Sequence, residues 1–437
     1  MLSRLLFCRT TSDGALKVVM PLFHQQTKHS YISVRKNATF LDWQSQPRNH
    51  KLYPHFNQRF KIEDYEALKD LNLIGGITFE KKYPDSTYYL RSVPSAGGLY
   101  PCEVYVQIRG IKGLLDGLYH YEPHSASLTL LQEIDKDGVE YYFKDKRKQK
   151  GLLFLISAVY FRSAWKYRDR SIRYILLDSG HQLGSIYAGL SVMGRESEAV
   201  FDFNKIALNS VCEFREDELF TCAVLSSEAG ELEIKKLRQE LPFVSGCDYL
   251  EKNEFIENAY KESAEYEEKN FLMPKFFENI PKEQLKRAIL TRRSIRAFRQ
   301  ERIKKEDFDF ILKDIFSFAN EHKIDIFYTL HLVNDATSGL YKNGVLVSEG
   351  DFRSKSGYLA LEQNLGGQSA VTFYFTSDEV TKYQKVNILS GFLAQIIYLR
   401  CELLGIGCSG IGAYYDDETK QFLNTSNNIL YLLAIGK

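Results

Sequence analysis

Apolar residues follow helical spacing in two long runs of this chain. One comprises Ile172, Ile175, Leu176, Leu183, Ile186, Leu190 and Met193; the other comprises Phe392, Ile396, Ile397, Leu399, Leu403 and Leu404. Each run stops at a glycine, Gly194 or Gly405, which predicts a core helix closed by a glycine C-cap. The runs align at one constant offset: Ser179, Gly180, Tyr187 and Gly194 fall on Ser390, Gly391, Tyr398 and Gly405. Alternating stretches around them predict strands, and these also match in pairs. "EVYVQIRGIKGLLDGLY" is similar to "YTLHLVNDATSGLY", and "ELFTCAVLSS" to "ILYLLAIGK". Each half therefore reads strand, turn, strand, strand, long helix, strand. Three matches in one order predict an internal duplication.

The halves divide the chain. Residues 1–80 read as an irregular arm and the start of the first half, 81–249 as the first half, 250–284 as a charged helical linker exposed to solvent, and 285–437 as the second half. The arm contains "LDWQSQPRNHKLYPHF", in which Trp43 beside prolines reads as a buried ring.

Composition removes several function classes. The 437 residues carry 57 basic and 56 acidic side chains, a balance that gives nucleic acid or anionic lipid no electrostatic purchase. The opening "MLSRLLFCRTTSDG" is too short in apolar residues for a signal peptide, and no later run reads as a membrane span, so the expectation is a cytoplasmic protein. Seven cysteines are scattered without C-x-x-C spacing, which predicts buried free thiols and no metal site.

Three short motifs carry chemistry. "GIGCSG" at 405–410 fits G-x-G-x-x-G but follows a helix instead of a strand, so it does not read as a dinucleotide fingerprint. The longer "GIGCSGIGAYYDDE" reads as a C-cap followed by an extended loop with free amides. "RRSIR" places Arg292, Arg293, Ser294 and Arg296 within about one helical turn, a donor set suited to a phosphomonoester; alone, such a run is also a solvated basic helix end. "VPSAGG" puts small residues directly before a strand, so something lies close to that backbone.

Together these stretches resemble the nitroreductase family of flavin enzymes. The resemblance implies an α+β fold with FMN bound by Arg292, Arg293, Ser294 and Arg296, by the turn Pro94, Ser95, Ala96 and Gly97, and by Ser409, Gly410, Ile411 and Gly412. Because the turn lies in the first half and the other two elements in the second, the duplicated chain would form its own pseudo-dimer. The second half has "FANEHKIDIFYT" where the first has "VPSAGGLYP", and the first offers only Lys28, His29, Ser30 and Arg35 where the second has "RRSIR". One FMN per chain is therefore expected.

Within the family, "RSVPSAGGLYPCEVYV", "GLYHYEP" and "RSAWKYRDRSIRYILLDSGH" resemble SagB-type dehydrogenases, which include azoline oxidases. That resemblance implies oxidation of a thiazoline or oxazoline in a modified peptide or small substrate, with Lys166 and Tyr167 assisting proton removal and a cyclodehydratase as a possible partner. The cation is expected to lower the phenol's pKa. An NAD(P)H-dependent nitroreductase or quinone-type reductase, or a non-catalytic flavin- or peptide-binding scaffold, are the alternatives. His181 reads as a hydrogen-bonded core residue and His120 as structural; the oligomeric state is left open.

Overall fold

Strands form where the alternation is strongest, and the two helical runs lie between them. The computed structural model describes residues 22–36, 41–83, 86–264 and 269–437. In the first half, β1 (Cys102–Arg109), β2 (Gly117–Glu122), β3 (Ser127–Glu133) and β4 (Arg147–Val159) lead into α1 (Tyr160–Tyr167) and α2 (Ser171–Val192). Two further strands follow, β5 (Glu198–Val200) and β6 (Glu218–Glu233). Beyond α3 (Glu254–Ser263) and α4 (Lys282–Thr291), the second half runs β7 (Asp325–Leu330), β8 (Gly339–Lys342), β9 (Val345–Glu349) and β10 (Val371–Ser377). It ends with α5 (Tyr383–Leu403), β11 (Gly407–Ile411) and β12 (Asn428–Gly436).

The first sheet has the core order β3-β2-β1-β4-β6-β5, extended by Arg59–Lys61 beside β3 and by Phe271–Leu272 beside β5. The second sheet has the order β9-β8-β7-β10-β12-β11. The same antiparallel topology is thus present twice. Alternate side chains of β1 and β10 explain why both faces are covered: Val104, Val106 and Ile108, like Val371, Phe373 and Phe375, join the central core with the helices. Tyr105 and Tyr374 point into separate outer clusters.

Helices α2 and α5 cross at the glycines that the offset aligned. A Cβ on Gly180 would lie 1.9 Å from Ile388 O, and one on Gly391 would lie 2.1 Å from Leu177 O. Only residues without a side chain permit this approach.

Several expectations change. The stretch after α5 is not an extended loop: Gly407–Ile411 is a strand paired with β12, which its Gly-Cys-Ser-Gly-Ile sequence does not reveal by alternation. The linker is not simply solvated, since α3 buries Ile256, Ala259 and Tyr260. Trp43 is 59% exposed instead of buried. Contrary to the reading that no run approaches a membrane span, α5 is long and apolar enough to cross one, but 89% of its apolar window is buried against protein. The six cysteines within the described residues are free and buried; Cys8 and the opening segment fall outside them.

Candidate active site

The small-residue turn is fastened to α2 by a carboxylate. Ser95 Oγ donates to Asp178 Oδ2 at 2.6 Å, Ala96 N donates to Asp178 Oδ1 at 3.1 Å, and Tyr100 N donates back to Ser95 Oγ at 2.9 Å. Gly97 and Gly98 have φ of 64° and 69°, the left-handed region that favours glycine. Burial pushes the Asp178 carboxyl up to about 7, against the stabilising bonds from Ser95 and Ala96. Asp178 was not singled out in the sequence. Its signal was a lone carboxylate in the apolar run "ILLDSGH".

The arginine run reaches this turn from the second half. Arg292 Nε donates to Ser92 O at 2.9 Å and its Nη2 to Arg91 O, while Arg293 Nη2 donates to Thr78 O at 2.9 Å. Both guanidinium groups are thus committed to backbone that leads into the turn, and neither lines the cavity beside it. This departs from the expectation for Arg292 and Arg293, because buried carbonyls needed those donors. Arg292 Nη1 is buried and has no hydrogen-bond partner among the described residues. Ser294 and the exposed Arg296 do face the cavity.

Strand β11 closes the opposite wall. Gly410 N donates to Tyr398 Oη at 2.7 Å, and Tyr398 Oη lies 2.9 Å from Ser294 Oγ, which links α5, β11 and the arginine run. Gly410, Ile411 and Gly412 line the cavity; Ser409 does not, and its buried Oγ has no partner. A Cβ at Gly410 would stand 1.8 Å from Tyr431 Oη. His181 also lines the cavity, with Nε2 3.0 Å from Tyr431 Oη and Nδ1 3.3 Å from Gln395 Oε1. Burial lowers its pKa to about 3, so the imidazole is neutral. His120 is a buried structural residue, 2.8 Å from Glu103 Oε2 through Nε2.

Lys166 and Tyr167, at the end of α1, complete the wall. A Cβ on Gly97 would be 2.6 Å from Tyr167 Oη, so the turn and the phenol lie against each other. The expectation for the phenol is reversed: burial raises the Tyr167 pKa, and among the cations Arg296 opposes that shift. Burial, and then Arg296, lower the pKa of Lys166 instead. The phenol therefore keeps its proton, and the amine loses its own more readily than an ordinary lysine does.

These walls enclose a cavity of about 270 Å³. Among the described residues its cations, Lys166 and Arg296, form no ion pair with a carboxylate, while the carboxylate that lines it, Asp178, is bonded to the turn. The cations Lys166 and Arg296 and the bare backbone at Gly97, Gly410 and Gly412 fit a flat, phosphate-bearing ligand such as FMN.

The equivalent place in the other half is filled. Tyr187, the offset partner of Tyr398, donates to Pro274 O at 2.6 Å, accepts from Phe276 N at 2.9 Å and stacks on Phe277 at 5.4 Å. Phe392, the offset partner of His181, packs on Phe276 at 6.0 Å and on Phe318 at 5.6 Å. Phe271–Leu272 covers the edge of β5. Lys28, His29, Ser30 and Arg35 do not lie there: Lys28 pairs with Asp417 at 2.6 Å, His29 N donates to Asp416, and Arg35 pairs with Glu362 at 2.9 Å.

Known proteins share sequence and fold with this chain. Residues 289–437 match the nitroreductase family. The matched stretch includes Arg292 to Arg296 and Gly410 to Gly412. A protein of Methanocaldococcus jannaschii named as a nitroreductase is 26% identical over 153 residues, which span 34% of this chain and 73% of that protein. The crystal structure of a protein from Anabaena variabilis, also named as a nitroreductase, superposes with a TM-score of 0.78 at 23% identity. It covers 95% of this chain and 98% of its own, so the nitroreductase-like α+β fold extends over both halves. The Escherichia coli microcin synthetase McbBCD complex matches 48% of this chain and 88% of its own at 14% identity and a TM-score of 0.31, a likeness too slight to bear on function.

Proposed function

We propose that this chain is an FMN-dependent oxidoreductase with one flavin per chain, built from two duplicated halves, 81–249 and 285–437, that act as an internal pseudo-dimer. The observation that carries this reading is the meeting of three elements at one cavity: the turn Pro94 to Gly97 from the first half, and Ser294 with Arg296 and Gly410 to Gly412 from the second. Arg296 would hold the phosphate, Ser294 and Gly410 to Gly412 the sugar chain and ring edge, and Pro94 to Gly97 the ring face. FMN, when bound, supplies a hydride acceptor.

The reaction follows the SagB-type resemblance. Oxidation of a thiazoline or oxazoline to the aromatic ring removes two ring hydrogens, one as the hydride that bound FMN would accept and one as a proton to a base of the protein. Lys166 supports that role, because its amine is partly desolvated and has Arg296 nearby, both of which favour the neutral form. Tyr167 keeps its proton and orients the substrate as a hydrogen-bond donor. Oxygen or another acceptor would serve as the terminal oxidant. The substrate is a modified peptide or a related small heterocycle, and a cyclodehydratase is the expected partner.

Visible absorbance of the purified protein, followed by release and quantification of the cofactor, tests the reading. About one FMN per chain is expected, since aromatic side chains fill the other site; two FMN per chain, or none after incubation with excess FMN, would overturn it. Rapid bleaching of the flavin by NAD(P)H would replace azoline oxidation with the reductase alternative.

A further inference from the structure

Both tryptophans of the chain stand together at the edge of the candidate site. Trp43 and Trp165 meet edge to face with ring centroids 5.6 Å apart. Trp43 sits in a single 3-10 turn, Trp43–Ser45, whose N-cap Asp42 accepts from Gln44 N at 3.0 Å. Three further bonds clamp the turn. Ser45 Oγ donates to Asp42 O at 2.8 Å, Trp165 Nε1 donates to Ser45 Oγ at 3.0 Å, and Tyr249 Oη donates to Ser45 O at 2.5 Å.

The clamp holds the backbone and leaves the ring out. Trp43 is 59% exposed, although burying such a ring is among the larger favourable terms open to a protein. Lys166 Nζ stands over the indole at 4.8 Å, and Lys166 is part of the cavity wall. The exposed ring is therefore continuous with the cavity through a residue already placed in it. A fixed aromatic face at the mouth of the cavity matches a planar ring, which gains stacking on the indole.

We propose that Trp43 is a substrate-binding residue that stacks on a planar ring of the substrate at the cavity mouth. This rests on the cavity being the reaction site, and it names the substrate class: flat and ring-bearing. It also accounts for the arm reaching this wall, since Trp43 is supplied by residues outside both repeated halves.

Benzoate and cyclohexanecarboxylate test it, because they share a charge and differ in flatness. Each is titrated into the FMN-loaded protein and followed by calorimetry and by the difference spectrum of the bound flavin. Benzoate should bind at least about 10-fold more weakly to Trp43→Ala than to the wild type, with Trp43→Phe restoring affinity to within about 2-fold. Cyclohexanecarboxylate should bind weakly and equally to all three. Equal benzoate affinity in the wild type and Trp43→Ala, an equal loss for the saturated acid, or no saturable benzoate binding would overturn the proposal. A protein that takes up no FMN refutes the flavin reading instead; the same titrations by calorimetry still decide the role of Trp43.

Discussion

Ser95 Oγ and Asp178 Oδ2 lie 2.6 Å apart, so one buried carboxylate on α2 holds the turn that forms a wall of the candidate site. Asp178 also accepts from Ala96 N, which makes it the residue on which the turn's position depends. Its carboxyl has an ordinary value of 3.8 and is pushed up to about 7 by burial. Between those values the folded protein binds more protons than the unfolded chain, so stability falls as pH rises through the window. Asp178→Asn keeps an acceptor for Ala96 N but does not titrate. The melting temperature of the wild type should fall between about pH 5 and about pH 8 more steeply than that of the variant; parallel curves would remove Asp178 from this role.

The crossing of α2 and α5 leaves no room for a methyl group. A Cβ on Gly391 would be 2.1 Å from Leu177 O, a backbone atom that cannot rotate away. Gly391→Ala should cost at least about 3 kcal/mol, read by chemical denaturation, because the helices and the sheets packed on them must move apart. An unchanged denaturation midpoint would show that the helices do not cross so closely.

The arginines of "RRSIR" separate by partner. Arg293 is committed to Thr78 O, whereas Arg296 is exposed on the cavity wall. Arg296→Ala should weaken FMN binding roughly 10- to 100-fold, measured by fluorescence titration of the stripped protein, the range expected for a lost charge-assisted bond. Arg293→Ala should lower stability and leave FMN affinity within about 3-fold. Equal effects on affinity would mean that both arginines contact the phosphate.

Lys166→Ala with Tyr167→Phe should retain FMN and lose about 10²–10⁴ in turnover of a thiazoline-containing peptide. In the wild type the rate should rise with pH to a plateau whose inflection lies below the ordinary lysine value, since burial and Arg296 disfavour the charged amine. The inflection should be absent in Lys166→Ala. Full turnover by the double variant with FMN bound would exclude the proton-removal role.

Much of the site was legible because its chemistry is local. Pro94 to Gly97, Ser294 with Arg296, and Gly410 to Gly412 come from short contiguous runs that line one cavity, whereas Arg292 and Arg293 of the same run turn to backbone carbonyls instead. Asp178 was not legible, because a carboxylate in a helical run has meaning only once Ser95 and Ala96 are placed against it. Trp43 was misjudged because flanking prolines do not say whether an indole turns inward or outward.

By itself, the sequence determined the two core helices, their glycine crossing points and the repeated order of strands, since periodicity and small residues act over a few positions of one chain. Tertiary structure decided which cations remain available to a ligand, which half of the repeat keeps a cavity and which phenol or amine is perturbed. Those properties depend on desolvation and on competing hydrogen-bond partners. Arg292 meets Ser92 O, and Phe318 fills the space beside Phe392, only when segments far apart in sequence share one low-dielectric interior.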